Sequence, residues 1–239
     1  GLAWSAQNAS ARLASVVKQW EAFERREFPE QATLRGHHEA DERLTDVSDS
    51  AVLRRRQFVT ARLSEIGSID PAGLTEQERL SRELLARQFA QRTRLSSLYG
   101  NLPFGSFDSD GWLALSSLGG PHTTLVILAQ ASRFGSRQDY ENYLARLEKV
   151  PDQLRNLIKR MELAIKAGWV GPAAPMERVP DQLSGFATAA IASGPLMSPF
   201  SGLPSGVNEG AHEELRARAR QVLTQKVAPA FADLKRFFE

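Results

Sequence analysis

Residues Gly36–Asp46 read GHHEADERLTD, two adjacent histidines followed by Glu39, Asp41, Glu42 and Asp46. Imidazole and carboxylate at this density are the ligand types of a zinc site. The spacing argues otherwise. Adjacent residues project in different directions on a helix or a strand, and a helical zinc pair needs His at i and i+4 with Glu beside the first. Four residues after His37 stands Asp41, and four after His38 stands Glu42. His212, followed by Glu213, has Arg216 at the fourth position. Cysteine is absent, which removes thiolate ligands, disulfides and cysteine nucleophiles together. The run reads as a solvated turn whose acids pair with Arg35 and Arg43. No metal ligand and no catalytic residue is assigned in this chain.

Other chemistries fare no better. The sequence holds no Gly-x-Ser-x-Gly elbow, no phosphate loop and no dinucleotide fingerprint. Arg54-Arg55-Arg56 is the best anion patch, but it lies beside an apolar helical stripe and reads as a solvated face. Nucleic acid is not an expected partner. More promising is the stretch from Asn101 to Pro121, rich in glycine, with Phe104, Phe107 and Trp112 and almost no charge. Long irregular stretches inside a domain tend to be functional. His122 follows Gly119, Gly120 and Pro121 at its end, next to the β-branched run TTLVIL, Thr123–Leu128. That run is open to two readings, an isolated strand or the start of a helix. As an edge strand it would hold an extended peptide by backbone hydrogen bonds. Trp112, Gly119, Gly120, His122 and Thr123 are then the candidate substrate-binding residues. The alternative is a turn that buries His122 against Trp112.

The elements that must position these residues are helical. Leu13, Val16, Val17, Trp20 and Phe23 recur on one helix face that ends before Pro29. Ser48 is placed to cap a second helix carrying Val52, Val59, Leu63 and Ile66. Thr75 to Glu78 form a capping box for a third, running through Leu80, Leu84 and Phe89. Ser136, with Asp139 three residues on, caps a fourth. Leu154, Leu157, Ile158, Met161 and Ile165 form the cleanest apolar stripe, with Gly168 placed to stop it. VPDQL occurs at 150–154 and again at 179–183, read as two proline-started helices and not as a repeated module. Asn208 caps a last helix in which Pro229 should introduce a kink. The fold class is all-α, with at most one short strand or hairpin. Residues 1–239 read as a single helical unit with an aromatic and glycine-rich loop at 101–128 and a second loop at 193–207.

Composition bounds the rest. The chain has 239 residues with 30 basic and 28 acidic side chains, a net charge of +2. A unit of this size buries roughly 70–75% of its unfolded surface and needs no staples. Only six of the 30 basic residues are Lys, so the high arginine usage carries no nucleic-acid footprint. No window approaches the ~20 apolar residues of a membrane span. The chain starts at Gly1 without Met and stops at Phe237-Phe238-Glu239 inside an amphipathic pattern. A processed or engineered start is expected, and a C-terminal polypeptide or a second copy of the chain is expected to cover the apolar surface left at the end.

Two stretches carry a family resemblance. GHHEADERLTDVSDSAVLRRRQFVTARLSEIGSIDPAGLTEQERLSRELL resembles the entry segment of the bacterial family called domain of unknown function 885. SRQDYENYLARLEKVPDQLRNLIKRMELAIKAGWVGP resembles its middle segment. The similarity spans most of residues 20–239. It implies the N-terminal helical portion of a zincin-like metallopeptidase fold, with Gly36–Asp46 a structural turn that leads through Asp46 and Ser48 into the next helix. Zinc then belongs to the parent protein, in a C-terminal half rich in His and Glu that this chain does not contain. The implied partners are that half, as a separate chain or a covalent continuation, and a peptide substrate, and the implied location is the cell envelope, periplasm or exterior. The competing class is a non-catalytic helical binding or scaffold subunit.

This reading generates the first prediction. Metal analysis of the purified chain should return no stoichiometric zinc. One tightly held zinc, lost when His37 and His38 are changed to Ala, would overturn it.

Overall fold

The computed structural model describes residues 2–99, 115, 116, 119–202 and 207–239. These residues form eleven α-helices: α1 (Leu2–Glu27), α2 (Pro29–Leu34), α3 (Asp49–Gly67), α4 (Glu76–Tyr99), α5 (Pro121–Ala131), α6 (Arg137–Glu148), α7 (Val150–Lys166), α8 (Ala173–Met176), α9 (Val179–Ser184), α10 (Glu209–Val222) and α11 (Ala228–Phe238). Three 3₁₀ turns lie at Pro71–Gly73, Ala189–Ser193 and Pro195–Phe200. Among the described residues there is no sheet, only an isolated bridge between Ser116 and Gly119.

The chain divides into two compact units. The reason is visible in the side chains, because each unit closes its own apolar cluster. The first comprises residues 1–27 and 49–101. The expected stripe of α1 is buried at Leu13, Val16, Trp20 and Phe23, against Val59 and Ile66 of α3 and Phe89 of α4. Phe23 and Phe58 stack with ring centroids 3.9 Å apart, and Phe89 meets Trp20 edge-on at 5.0 Å. The Arg92 guanidinium lies 4.9 Å from the Trp20 ring centroid, a cation–π contact. Thr75 and Glu78 close the predicted capping box at the start of α4. Leu80 and Leu84, on the same periodic pattern, are exposed.

Arg55 departs from the solvated face expected of the arginine run. It is buried and lies 3.5 Å from buried Glu27, which also accepts from Arg54 at 3.0 Å. Burial alone would push the Glu27 carboxyl up. Hydrogen bonds from Arg54 and Arg26, with the charge of Arg55, outweigh it and hold the group below its ordinary value.

The second unit comprises residues 28–48 and 102–239. The stripe of α7 is buried at Leu154, Leu157 and Met161, and α11 contributes Phe231 and Leu234 to the same cluster. Ile165, at the end of the stripe, is exposed. Val179 and Leu183 of α9 are also buried there, so the two VPDQL segments are two helix starts. Gly36 and Gly168 both have positive φ, at 83° and 75°. Each ends a helix by the same paired bonds: Gly36 N–H to Thr33 O and His37 N–H to Ala32 O, then Gly168 N–H to Ile165 O and Trp169 N–H to Ala164 O. In the last long helix the disturbance precedes Pro229 and is a π-type turn, Leu223–Val227, in which Ala228 N–H reaches Leu223 O. Proline has no N–H for the carbonyl four residues back, and the wider turn accommodates that loss. Phe237 and Phe238 are partly buried against the cluster.

Gly36–Asp46 keeps Glu39 and Asp46 exposed, as a solvated turn would, but it is not solvated throughout. Asp41 is buried and takes its partners from elsewhere in the second unit. Arg146 of α6, fully buried, donates to Thr33 Oγ1 at 2.8 Å, to Arg43 O at 2.9 Å and to Ala40 O at 3.2 Å. Its Nη2 lies 3.4 Å from Asp41 Oδ1, and Thr33 Oγ1 donates to the same oxygen at 2.5 Å. His38 Nδ1 lies 2.9 Å from Asp41 Oδ2. Beside this cluster, Glu30 accepts from Thr45 N–H at 2.9 Å and from Gln153 of α7 at 2.9 Å. Among the described residues no group of three or more His, Asp or Glu is arranged to hold a metal ion. Asp41 is committed to Arg146, Thr33 and His38, while Asp46 accepts from Ser48 N–H at the approach to α3.

Truncating one member of a buried ion pair leaves the other uncompensated, so Arg146→Met should cost about 3–5 kcal/mol of unfolding free energy. Adding Asp41→Leu should recover most of that loss. Urea unfolding of the single and double variants checks both statements.

Candidate functional site

The candidate residues of the sequence reading fall around the start of α5. Ser116 and Gly119 exchange backbone hydrogen bonds, at 2.9 and 3.2 Å. Gly120 N–H donates to Thr123 Oγ1 at 3.0 Å, and that hydroxyl donates to Gly120 O at 2.9 Å. Pro121 occupies the first helical position, where a missing N–H costs nothing. Gly120 and Thr123 are therefore spent on starting a helix. Trp112, with Phe104 and Phe107, lies outside the described residues.

One part of the expectation is corrected outright. Thr123–Leu128 is not an edge strand but the body of α5, Pro121–Ala131. Its backbone groups are used within the helix and offer an extended peptide nothing to pair with. Burial overrides β-propensity here: Leu125, Leu128 and Ala129 face the core at helical spacing.

His122 is 4% exposed and meets Phe186 edge-on, ring centroids 6.0 Å apart. Its Nδ1 is buried with no hydrogen-bond partner among the described residues. Burial pushes its pKa below the ordinary 6.5.

The structure places a different surface nearby in the fold. The 3₁₀ turn Pro195–Phe200 packs on α5 and on α10. Together with the turn Ala189–Ser193 it borders an open hollow of about 740 Å³. Ser193, Gly194, Met197, Ser198, Ser201 and Arg216 are among its walls, with Arg220 beside them.

Proline makes this turn need outside help. Pro199 has no N–H to give the carbonyl three residues back, so Leu196 O would be left open. It accepts from Tyr143 OH at 3.0 Å. Pro199 O accepts from Tyr140 OH at 3.1 Å, and Phe200 O from Arg216 at 2.7 and 3.2 Å. Burial pushes the pKa of both tyrosines up, so the phenols stay protonated and remain donors. The turn is thus fixed from behind by α6 and α10, and its serines face the open side: Ser193, Ser198 and Ser201 are exposed.

These residues escaped the sequence reading because the segment looked like a connection. Two prolines spaced to strip a 3₁₀ turn of donors, and arginines at 216 and 220 on one helix face, were the available signals.

Residues 29–239 match the family described as bacterial protein of unknown function (DUF885). The chain belongs to this family. Its fold is similar to a crystal structure described as "the putative lipoprotein" from Colwellia psychrerythraea, with a TM-score of 0.81 at 13% identity. The superposition covers 98% of this chain and 41% of that one, so the chain spans about two fifths of that structure's length. Among curated proteins none matches. No described helix is long and apolar enough to cross a membrane.

The buried histidine gives a pH dependence. Its folded pKa lies below the unfolded one, so near and below pH 6.5 the unfolded chain binds the extra proton. Stability should fall as pH drops from 6.5 until the folded pKa is passed, and His122→Phe should flatten that part of the curve. Thermal midpoints of both proteins between pH 7 and pH 5 measure it, and parallel curves would remove His122 as the cause.

Proposed function

We propose that this DUF885 chain supplies a substrate-binding wall to a longer, zinc-peptidase-like hydrolase of the cell envelope. What carries the reading is the hollow at Pro195–Phe200: irregular backbone, tied back by two tyrosines and an arginine, with serine hydroxyls and apolar Met197 on the open side. Ligand sites combine a pre-formed concavity with a few placed polar groups, and this one has both. The described His, Asp and Glu residues do not fit a zinc site: Asp41 and Glu30 are committed to buried partners, and His122 stands among apolar groups. No catalytic step is therefore assigned to this chain. On this reading the metal and its chemistry belong to a longer parent, and the greater length of the similar lipoprotein structure supports looking for them there. Its description as a "putative lipoprotein" favours the envelope.

A second reading, a helical scaffold subunit, draws on different residues. Leu80, Leu84 and Leu98 of α4 are exposed in the first unit, as are Ile165, Trp169 and Val170 at the end of α7 in the second. Apolar exposure of this kind marks protein contacts.

The test uses the longer family protein and a mixture of quenched fluorescent peptides. Zinc-dependent cleavage is expected, and Ser198→Trp, which fills the hollow, should raise KM several-fold without moving the thermal midpoint. Absence of turnover together with a stable complex with another polypeptide would establish the scaffold reading instead.

A further inference from the structure

The cations of α10 differ in how they are used. Arg218 reaches Glu141 at 2.9 Å, and Arg216 is held between Phe200 O at 2.7 Å and Glu213 at 3.2 Å. Arg220, which borders the hollow, has Glu213 at 4.0 Å, too far for a hydrogen bond. Glu213 is thus shared unequally. Its nearer partner is Arg216, whose Nε and Nη2 are already spent on the Phe200 carbonyl. Among the described residues, two guanidinium groups against one carboxylate leave a surplus of one positive charge beside the hollow, and the donors of Arg220 carry it.

The other walls fit the same chemistry. Ser193, Ser198 and Ser201 make no side-chain hydrogen bond to the described residues, so their hydroxyls remain available as donors. Met197 supplies apolar contact beside them. A guanidinium with unused donors pairs preferentially with a planar carboxylate, by two parallel charge-assisted bonds. The single surplus charge matches a monoanion better than a phosphate dianion.

We propose that the hollow between the two 3₁₀ turns and α10 is a carboxylate subsite, in which Arg220 and the serine hydroxyls hold a peptide's terminal or side-chain carboxylate. The peptide identity rests on the function proposed above, whereas the preference for a carboxylate rests on the wall alone. Arg216 is a positioning residue that fixes the turn. Arg220 makes the contact.

Isothermal titration of the 239-residue chain tests it with four probes: N-acetyl-tetraalanine as the free acid, the same peptide as the amide, an amidated peptide with one aspartate, and inorganic phosphate. The free acid should bind about ten-fold or more tightly than the amide, as expected for loss of a charge-assisted pair. Arg220→Gln should abolish that difference while leaving the thermal midpoint unchanged. Recovery of binding by the aspartate peptide would assign a side-chain carboxylate, and failure to recover would assign the chain terminus. Equal affinity for acid and amide, tighter binding of phosphate, or an acid preference that survives Arg220→Gln would each overturn the subsite. Acid preference without peptide turnover by the longer protein would leave the subsite standing and remove the peptidase reading. Turnover without acid preference would do the reverse.

Discussion

Arg146 is fully buried, and the order of the second unit is tied to how its donors are satisfied. A guanidinium carries five N–H donors and cannot lose its charge within the working range of a protein. Here Nε reaches Arg43 O, Nη1 reaches Ser132 Oγ, and Nη2 is shared among Thr33, Ala40 and Asp41, so four of the five partners lie in a stretch of eleven residues. Burial pulls the Arg146 pKa down, and the charges of Asp41, Glu30 and Glu42 oppose it. Such a cluster costs more in desolvation than an apolar replacement would. It also ties residues 33–43 to α6 in one register, through four bonds to a single side chain.

That register reaches the candidate site through α6 itself. Tyr140, Tyr143 and Arg146 lie three residues apart, on adjoining faces of one helix. Arg146 anchors the loop after α2, while the two tyrosines hold the carbonyls of Leu196 and Pro199. The wall of the hollow is therefore hung from the same helix that the buried charge orients. In the first unit a parallel solution appears on a smaller scale, with Glu27 buried among Arg26, Arg54 and Arg55.

Local signals were legible in the sequence because their physics is local. The capping boxes at Thr75 and Ser136, the glycine stop at Gly168 and the apolar faces of α1 and α7 need only residues within a turn or two of each other. The role of Asp41 was not legible, because its cation stands 105 residues away in the chain. The arginine run misled for a related reason: Arg55 pairs with Glu27, across a separation of 28 residues. At Thr123–Leu128 residue type pointed to a strand, while the core contacts of Leu125 and Leu128 decided for a helix. Family membership was carried by the order of many weak signals, none sufficient alone.

The site was the least legible part, and the cause lies in how helical proteins make ligand sites. A helix uses up its own backbone groups, so specificity must come from side chains or from backbone that has left the helix. In this chain the departure is made by prolines at 195 and 199, which break the pattern that periodicity detects. The carbonyls so released are then claimed from behind by Tyr140, Tyr143 and Arg216, leaving the front of the turn to hydroxyls. An irregular segment with its polar groups unmet would collapse or fill with water. One with every rear carbonyl satisfied holds its shape before a ligand arrives, and pre-formed shape reduces the ordering cost of binding. That is the physical ground for proposing the hollow, and not the helix beginning at Pro121, as a binding surface.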